Sequence, residues 1–351
     1  MLKFEHGGNI YDSGGQVSDW LDMSANINPL GLSEAVKLAI EDNIGGLIHY
    51  PDPQALELKS AISSRYEVCV ENIITLNGAA EFFYLFFNTI RPKRVLIVVP
   101  SFSEYERAAL AADCDIEYFY TNEIDDFNID FDQLIKIVEA KNINCVVLAN
   151  PNNPPGTVIK LNDIKKLLNI TEFLMIDESF IDFVNIESAR NLVKNNKNLA
   201  VVQSMTKFFA IPGLRLGFAI ANESIIKRME LGKDVWNVNY LAQKVGVAVL
   251  GDKEYFSKTR NWITEEKKYV AKRLEEISNI KYFKPTVNFV LIKFETDKTA
   301  STVIEKLRQN NILIRSCANF VGLDGSYLRM AIRCREDNDR VINLVESVLK
   351  G

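Results

Sequence analysis

The sequence contains only two histidines, His6 and His49, among its 351 residues. Zinc and related metals are commonly bound through several imidazoles, and Ser-His-Asp hydrolases need a histidine as general base. A histidine-rich metal site is therefore excluded, and a hydrolase of that kind is not favoured. The five cysteines are scattered without the paired spacing of metal ligands, and an odd number of thiols is typical of a reducing cytoplasm.

Long apolar runs and an excess of positive charge are also missing. No run approaches the roughly 20 residues needed to cross a membrane, and the first eight residues lack the pattern of a signal peptide. The formal net charge of -5 gives no electrostatic reason to expect nucleic acid as a partner. We therefore expect a cytoplasmic globular protein with neither a membrane nor a nucleic acid as partner.

Short apolar runs alternate with longer amphipathic stretches in the central two thirds of the chain. The amphipathic stretches 103–112 and 130–140 predict helices. The apolar runs predict buried strands at Ile73–Leu76, Arg94–Val99, Cys145–Ala149, Phe173–Ile176 and Leu199–Val202. Alternating strands and helices predict an α/β fold, with a mostly parallel sheet covered by helices on both faces.

The pattern changes near residue 253, where a long charged helix is predicted to run to about residue 277. The remaining chain predicts a smaller α+β domain, with strands at 289–294, 312–315 and 327–332 and helices at 299–310 and 337–349. We expect an N-terminal arm over residues 1–40 that joins the small domain, a large domain over 41–250 and a small domain over 251–351.

A serine, a lysine and an arginine stand close together in one segment of the chain. Ser204 precedes Lys207 by one helical turn's spacing, and Arg215 follows before Gly217. Serine and arginine side chains suit a phosphate monoester, and a lysine between them can form a Schiff base with an aldehyde that carries the phosphate. This layout can anchor pyridoxal 5'-phosphate (PLP), although a lone Ser-x-x-Lys also arises often by chance.

Three further segments follow predicted strands, and each has an ordinary structural alternative. Asn153 lies in a proline-rich segment that otherwise indicates only a stiff turn, and Asp177 ends a strand where a helix cap is also common. The segment from Asn77 to Glu81 opens an apolar helix, whose first amides suit a phosphate but also allow close packing. Together they make chemical sense, because Asp177 can keep a pyridine nitrogen protonated while the Asn153 amide donates to the ring's phenolic oxygen.

The ordered motifs Asn-Pro-x-Asn-Pro-x-Gly, Asp, Ser-x-x-Lys and Gly-x-Arg-x-Gly resemble those of the fold-type I PLP enzymes, the aspartate aminotransferase superfamily. The resemblance covers essentially the whole chain and implies the PLP-dependent transferase fold. It implies that Lys207 binds the cofactor covalently and that Asp177 pairs with the pyridinium. It further implies cofactor contacts from Gly78, Ala79, Ala80, Phe102, Asn153, Ser204 and Arg215, and a homodimer in which Tyr50 reaches the phosphate in the neighbouring subunit.

One position departs from the superfamily pattern. A tyrosine usually stands three residues after the aspartate and donates to the ring oxygen, whereas this chain has Phe180. A phenylalanine cannot donate that hydrogen bond. We therefore expect the Schiff base to hold its proton more tightly than in tyrosine-bearing relatives, unless Phe180 simply packs in the core.

Several segments resemble the L-threonine-O-3-phosphate decarboxylases of cobalamin biosynthesis. These are PLP-dependent enzymes that release CO2 from a phosphorylated amino acid. The N-terminal segments around His6 and Asn26 carry this likeness, together with the C-terminal segment from Ile314 to Arg333. The resemblance implies that Arg329 binds the substrate carboxylate, and that Arg315 and His6 take the phosphate. Asn26 and Arg333 are further candidate substrate residues, with a surface ion pair as an equal alternative for Arg333.

Two other functions are considered. A histidinol-phosphate aminotransferase shares most of these motifs but lacks the His-Gly-Gly seen at His6. Decarboxylation and transamination use the same cofactor site, and the substrate bond held perpendicular to the ring is the one that breaks, so sequence chemistry alone leaves the two reactions open. A PLP-binding transcription regulator would need an added basic domain, for which we expect no room before His6.

Overall fold

The computed structural model describes residues 6–11 and 20–350. The strands, in chain order, are β1 (Leu21–Asp22), β2 (Ile73–Leu76), β3 (Arg94–Val99), β4 (Asp115–Tyr120), β5 (Cys145–Ala149), β6 (Phe173–Asp177), β7 (Leu199–Ser204), β8 (Gly217–Ala221), β9 (Ile280–Phe283), β10 (Phe289–Phe294), β11 (Ile312–Leu313), β12 (Arg315–Ser316) and β13 (Tyr327–Ala331). The α-helices are α1 (Glu34–Asn43), α2 (Leu56–Tyr66), α3 (Ala80–Ile90), α4 (Glu104–Ala111), α5 (Phe131–Ala140), α6 (Leu161–Leu168), α7 (Glu223–Gly232), α8 (Tyr240–Gly251), α9 (Lys253–Glu275), α10 (Asp297–Gln309) and α11 (Arg335–Lys350).

The central sheet has seven strands in the order β2-β8-β7-β6-β5-β3-β4. Strands β4, β3, β5, β6 and β7 pair in parallel, while β8 runs antiparallel to both β7 and β2. Because only β8 is reversed, the carboxyl ends of the other strands all meet at one edge of the sheet, where ligands of open α/β sheets bind. The α/β fold with a mostly parallel sheet is confirmed.

Strand direction brings the sequence motifs to that edge. The segments that follow β2, β5 and β7 contain Gly78, Asn153 and Lys207, and Asp177 is the last residue of β6. Arg215 stands just before β8, whose reversed direction places its start at the same edge. Residues that are far apart in the chain are thus gathered by the sheet alone.

Apolar residues on both faces of the central sheet explain why its strands form continuous hydrophobic runs. Leu96 and Val98 of β3 pack into one core cluster, and Val95, Ile97 and Val99 pack into another on the opposite face. Helix α3 contributes four buried phenylalanines to the second cluster, at positions 82, 83, 86 and 87. Burial on both faces favours parallel strands covered by helices.

A second, antiparallel sheet forms in the C-terminal part of the chain, with the strand order β12-β13-β10-β9. The N-terminal strand β1 pairs in parallel with β11. The prediction of a single strand over 312–315 is wrong. Ile312 and Leu313 form β11 and pair with β1, whereas the chain from Arg315 onward forms β12 and pairs with β13. The edge strands β4 and β9 and the reversed strand β8 were not predicted. The proposed domain boundaries stay a prediction.

None of the helices in the described ranges has the length and apolarity required to cross a bilayer.

A buried carboxylate lies directly after β6. The Glu178 side chain accepts hydrogen bonds from the Ser188 hydroxyl, from the Ala189 amide at 2.7 Å and from the Gln203 side-chain amide at 3.3 Å. Burial nevertheless dominates, and raises the pKa of Glu178 from 4.5 to about 7. Ionising this residue therefore costs stability in the folded state.

We predict that Glu178→Gln removes part of the pH dependence of stability. A carboxyl whose folded-state pKa is raised destabilises the fold progressively as the pH rises from about 4.5 to about 7, by on the order of 3 kcal/mol in total. Urea unfolding at pH 5 and pH 8 should show the variant gaining stability relative to the parent protein at the higher pH. Glu172→Gln is the control, because Glu172 is exposed, and an equal gain in both variants would contradict the role of burial.

Candidate active site

A cavity of about 710 Å³ opens at the carboxyl edge of the central sheet, where the C-terminal sheet and the N-terminal segment close over it. It brings together most of the residues predicted from the sequence. Those that line it are His6, Asn26, Ala79, Ala80, Phe102, Asn153, Asp177, Ser204, Lys207, Arg215, Arg315 and Arg329.

Lys207 lies inside this cavity with its amine in contact with Ser204. Its Nζ donates to the Ser204 Oγ at 3.0 Å, and the Ser204 hydroxyl also contacts the Thr206 hydroxyl at 2.7 Å. Burial lowers the pKa of Lys207 to about 8, helped by the charges of Arg215 and Arg329 and opposed by Asp177. An appreciable fraction of the amine is therefore unprotonated and nucleophilic near neutral pH.

The Asp177 carboxylate is held by two donors. The Ser179 amide donates to Oδ1 at 2.8 Å, and the buried Tyr105 hydroxyl donates to Oδ2 at 2.7 Å. Both donors fix the orientation of the carboxylate. Burial and the neighbouring Asp177 charge raise the pKa of Tyr105 well above its usual range, so Tyr105 stays a donor.

A site for an anion lies where α3 begins. Ala79 caps α3 and has no side-chain acceptor for the first amides of the helix, which carry partial positive charge. Gly78 has a φ of +81°, and a Cβ there would come within 2.4 Å of the Arg215 guanidinium. Glycine suits this position because the positive φ would strain any other residue and a side chain would displace the Arg215 guanidinium, although Gly78 itself is not among the lining residues.

Two arginines face the other side of the cavity from adjacent strands. Arg315 on β12 and Arg329 on β13 are directly paired in the antiparallel register, and both are buried. Arg329 donates to the Asn153 Oδ1 and to the Ser24 carbonyl, each at 2.5 Å, while its buried Nε has no hydrogen-bond partner. Burial lowers the pKa of Arg329 to about 10. Like charges opposite each other in a sheet are unfavourable, so this pair is suited to an anionic ligand.

The N-terminal segment crosses the cavity and places His6 at its wall. The His6 Nε2 lies 2.8 Å from the Glu104 Oε1, and its ring lies 5.4 Å from that of Phe102. Glu104 also accepts from the Tyr84 hydroxyl at 2.7 Å. His6 thus reaches the site, but against a carboxylate that the sequence interpretation did not include.

Phe180 both lines the cavity and packs in the core. Its ring meets Phe289 edge to face at 5.0 Å, and the Lys207 amine lies 6.0 Å from its centre. The phenylalanine therefore presents an apolar surface where a tyrosine would present a hydroxyl. Its predicted effect on the protonation of a bound cofactor stays a prediction.

Two predicted residues lie away from the cavity of their own chain. Tyr50 is 75% exposed and stacks on Trp236, with ring centres 4.2 Å apart. Arg333 forms an ion pair with Asp337, between Nε and Oδ2 at 3.0 Å. This geometry favours the surface ion pair over a substrate contact for Arg333.

Sequence reasoning missed several residues that line the cavity: Asp22, Glu104, Tyr105, Arg107 and Ser179. A spacing signal existed for Tyr105, because it lies three residues after Phe102 and therefore faces the same way at the start of α4. No local signal pointed to Glu104, whose partner His6 is 98 positions away in the chain.

The cavity therefore combines a nucleophilic amine, a fixed carboxylate, and a phosphate-sized cradle of amides, hydroxyl and guanidinium. This donor set fits a phosphorylated pyridine aldehyde such as PLP, with the Arg315–Arg329 pair left to bind the anionic groups of a second molecule.

Comparison with known proteins agrees with this geometry. A candidate threonine-phosphate decarboxylase of Caldanaerobacter subterraneus is 40% identical over 96% of this chain and 92% of its own length. The threonine-phosphate decarboxylase of Salmonella typhimurium is 34% identical over 100% of this chain and 98% of its own length. The crystal structure of the histidinol-phosphate aminotransferase of Clostridium acetobutylicum superposes with a TM-score of 0.88 at 32% identity, covering 94% of this chain and 99% of that one.

The family model for aminotransferases of class I and II matches residues 18–348, which is nearly the whole chain. The protein belongs to the aminotransferase class I and II family.

Proposed function

We propose that the protein is a PLP-dependent decarboxylase of L-threonine O-3-phosphate, which releases CO2 and aminopropanol phosphate. The observation that carries this proposal is the buried pair of Arg315 and Arg329, which shares one cavity with Lys207. The pair offers two positive charges to a substrate that carries both a carboxylate and a phosphate. The threonine-phosphate decarboxylases among the relatives support the same assignment.

The cofactor side of the cavity is proposed to work as follows. Lys207 holds the cofactor covalently, while Ser204, Arg215 and the amides of Ala79 and Ala80 bind its phosphate. Asp177, fixed by Tyr105 and Ser179, holds a proton on the ring nitrogen. Asn153 reaches the ring oxygen, and Phe102 covers a face of the ring. When bound, PLP supplies an electron-withdrawing ring for the electrons of the bond that breaks at the substrate's α-carbon.

The substrate side uses the remaining cations. Arg329 has a guanidinium already fixed by Asn153 and Ser24, and it lines the cavity, where its N–H groups would bind the substrate carboxylate. Arg315, together with His6, binds the phosphate, and Asn26 contributes from the N-terminal segment. Once the substrate amine has displaced it from the cofactor, the Lys207 amine would be the group that returns a proton to the α-carbon after CO2 has left.

A histidinol-phosphate aminotransferase is the second candidate, favoured by the structural match to the Clostridium enzyme. Histidinol phosphate has a phosphate but no carboxylate, so it would not itself use both arginines. His6 lines the cavity, which also favours the decarboxylase, because the His-Gly-Gly segment belongs to the resemblance to decarboxylases and not to that with histidinol-phosphate aminotransferases.

We propose further that two copies of the chain form a dimer with shared active sites. Tyr50 does not line its own cavity, and an exposed apolar patch surrounds it. The members of this patch are Ile44, Leu47, Ile48, Tyr50, Leu56 and Trp236. Exposed apolar patches of this kind mark protein interfaces, and the resemblance places Tyr50 on the neighbour's cofactor phosphate. We also propose a cytoplasmic location, which the five free cysteines support.

The purified protein supplied with PLP should release CO2 from L-threonine O-3-phosphate and form aminopropanol phosphate. It should form little glutamate from 2-oxoglutarate and histidinol phosphate. Lys207→Ala should lower the decarboxylation rate by at least about 100-fold, because it removes the proton donor. Mass spectrometry of the products checks both points, and glutamate as the main product would establish the aminotransferase instead.

The Lys207 amine should react with small aldehydes at an unusually low pH. In the protein without cofactor, reductive methylation of Lys207 should reach half its plateau near pH 8. Lys166 is the internal control, because its hydrogen bond to Asp163 raises its pKa, so its labelling should still increase at pH 10. Peptide mass spectrometry follows both lysines in one sample.

Removing a charge near the Lys207 amine should shift the pH at which the amine is half-labelled. Asp177→Asn should lower the pH of half-labelling and Arg215→Gln should raise it, because Asp177 raises and Arg215 lowers the pKa of Lys207. Identical profiles for Lys207 and Lys166 would contradict the assignment of a buried, activated amine.

Ile48→Glu should convert the dimer into monomers and reduce activity, because it places a charge at one of the most exposed positions of the apolar patch around Tyr50. The matched control is Ile124→Glu, since Ile124 is 88% exposed but lies beside the C-terminal sheet, next to Glu123, which pairs with Lys293. Sedimentation velocity under assay conditions measures the oligomeric state. A fully active parent monomer would rule the shared site out.

A further inference from the structure

Glu104 is a buried carboxylate in the wall of a cavity that otherwise suits anions. Its Oε1 accepts from the His6 Nε2 at 2.8 Å, its Oε2 accepts from the Tyr84 hydroxyl at 2.7 Å, and Arg107 lies 3.5 Å away on the next turn of α4. Burial acts to raise the pKa of Glu104, but the hydrogen bonds from His6 and Tyr84 outweigh it and hold the pKa below its ordinary value. The residue is therefore an ionised acceptor.

The segment that carries His6 is packed closely onto the cavity floor. The Gly8 amide donates to the Ser24 Oγ at 2.8 Å, and a Cβ on Gly7 would come within 2.1 Å of the Ser24 carbonyl oxygen. That same carbonyl accepts from Arg329 at 2.5 Å. The position of residues 6–11 is thus linked through Ser24 to the arginine proposed to bind the substrate carboxylate.

A bare carboxylate at this place would repel a phosphorylated substrate. Two charges of like sign a few ångströms apart repel each other strongly in a partly buried site. The Glu104 carboxylate is instead in contact with His6 and Arg107, and both of these residues line the cavity. Its charge orients these two groups, and the hydrogen bond to His6 ties the N-terminal segment to α4.

We propose that Glu104 is a positioning residue that fixes residues 6–11 over the cavity and aims His6 and Arg107 at the phosphate of the substrate. The inference rests on the proposed function for the identity of the substrate. Glu104 does not touch the substrate itself and acts through His6. Tyr84 holds the second carboxylate oxygen and so keeps Glu104 in place.

Glu104→Gln tests this role, because glutamine keeps the shape and one acceptor but removes the charge. In the PLP-loaded protein, the KM for L-threonine O-3-phosphate should rise about tenfold, the effect of weakening one hydrogen bond to a charged group, while kcat changes less. Hydrogen exchange of the peptide that contains residues 6–11 should become faster, since the Gly8 amide loses its fixed position over Ser24.

A double-mutant cycle separates positioning from simple repulsion. In a His6→Ala background, Glu104 keeps its contacts with Tyr84 and Arg107 but can no longer act through His6, so adding Glu104→Gln should raise KM by less than it does in the parent background. Glu106→Gln is the matched control, because Glu106 lies on the same helix and accepts from the Tyr118 hydroxyl at 2.7 Å. It should leave both KM and the exchange of residues 6–11 unchanged.

Three results would overturn the inference: unchanged exchange of residues 6–11 in Glu104→Gln, a KM that falls in that variant, or equal KM increases in the presence and absence of His6. Failure of the proposed function has a different signature, namely a parent protein that does not act on L-threonine O-3-phosphate. In that case, exchange of residues 6–11 and calorimetric binding of inorganic phosphate by the parent and Glu104→Gln proteins decide the role of Glu104. Equal values in the two proteins would reject it.

Discussion

The burial of two arginines side by side on β12 and β13 is the constraint around which the cavity is arranged. Removing a guanidinium from water is costly unless its donors are satisfied. Arg329 meets part of this requirement through Asn153 from the large sheet and Ser24 from the N-terminal segment. One residue of the small sheet therefore depends on two other parts of the chain while it also lines the cavity.

The two walls of the cavity are built from different parts of the chain. The residues proposed to bind the cofactor, from the start of α3 to Arg215, lie at the carboxyl edge of the central sheet. The residues proposed to bind the substrate lie on the other wall, where the N-terminal segment brings His6 onto α4. In this proposal the substrate is recognised by the parts of the chain that cover the sheet, and the cofactor by the sheet edge itself.

Much of the fold and of the cofactor side was predictable from the sequence. Buried parallel strands are continuous apolar runs, and residues after such strands meet at one edge, so Asp177, Asn153 and Lys207 could be grouped before any coordinates were known. Glu104 and Tyr105 could not be assigned in this way, since their roles depend on contacts with His6 and Asp177 made across long stretches of chain. The split of the predicted strand 312–315 had no local signal either, because it reflects a change of pairing partner from β1 to β13.

The reversed strand β8 has a further consequence for the segment that carries Lys207. Ser204 and Gly217 are directly paired across β7 and β8, so residues 205–216 form a loop whose two ends are joined by the sheet. Internal hydrogen bonds, such as those from Met205 to Leu216 and from Ile211 to Thr206, tighten it further. The entropy of closing this loop is lost during folding rather than when a ligand arrives. The backbone at Lys207 and Arg215, near its two ends, is thus preorganised, and ligand affinity is not reduced by ordering that backbone.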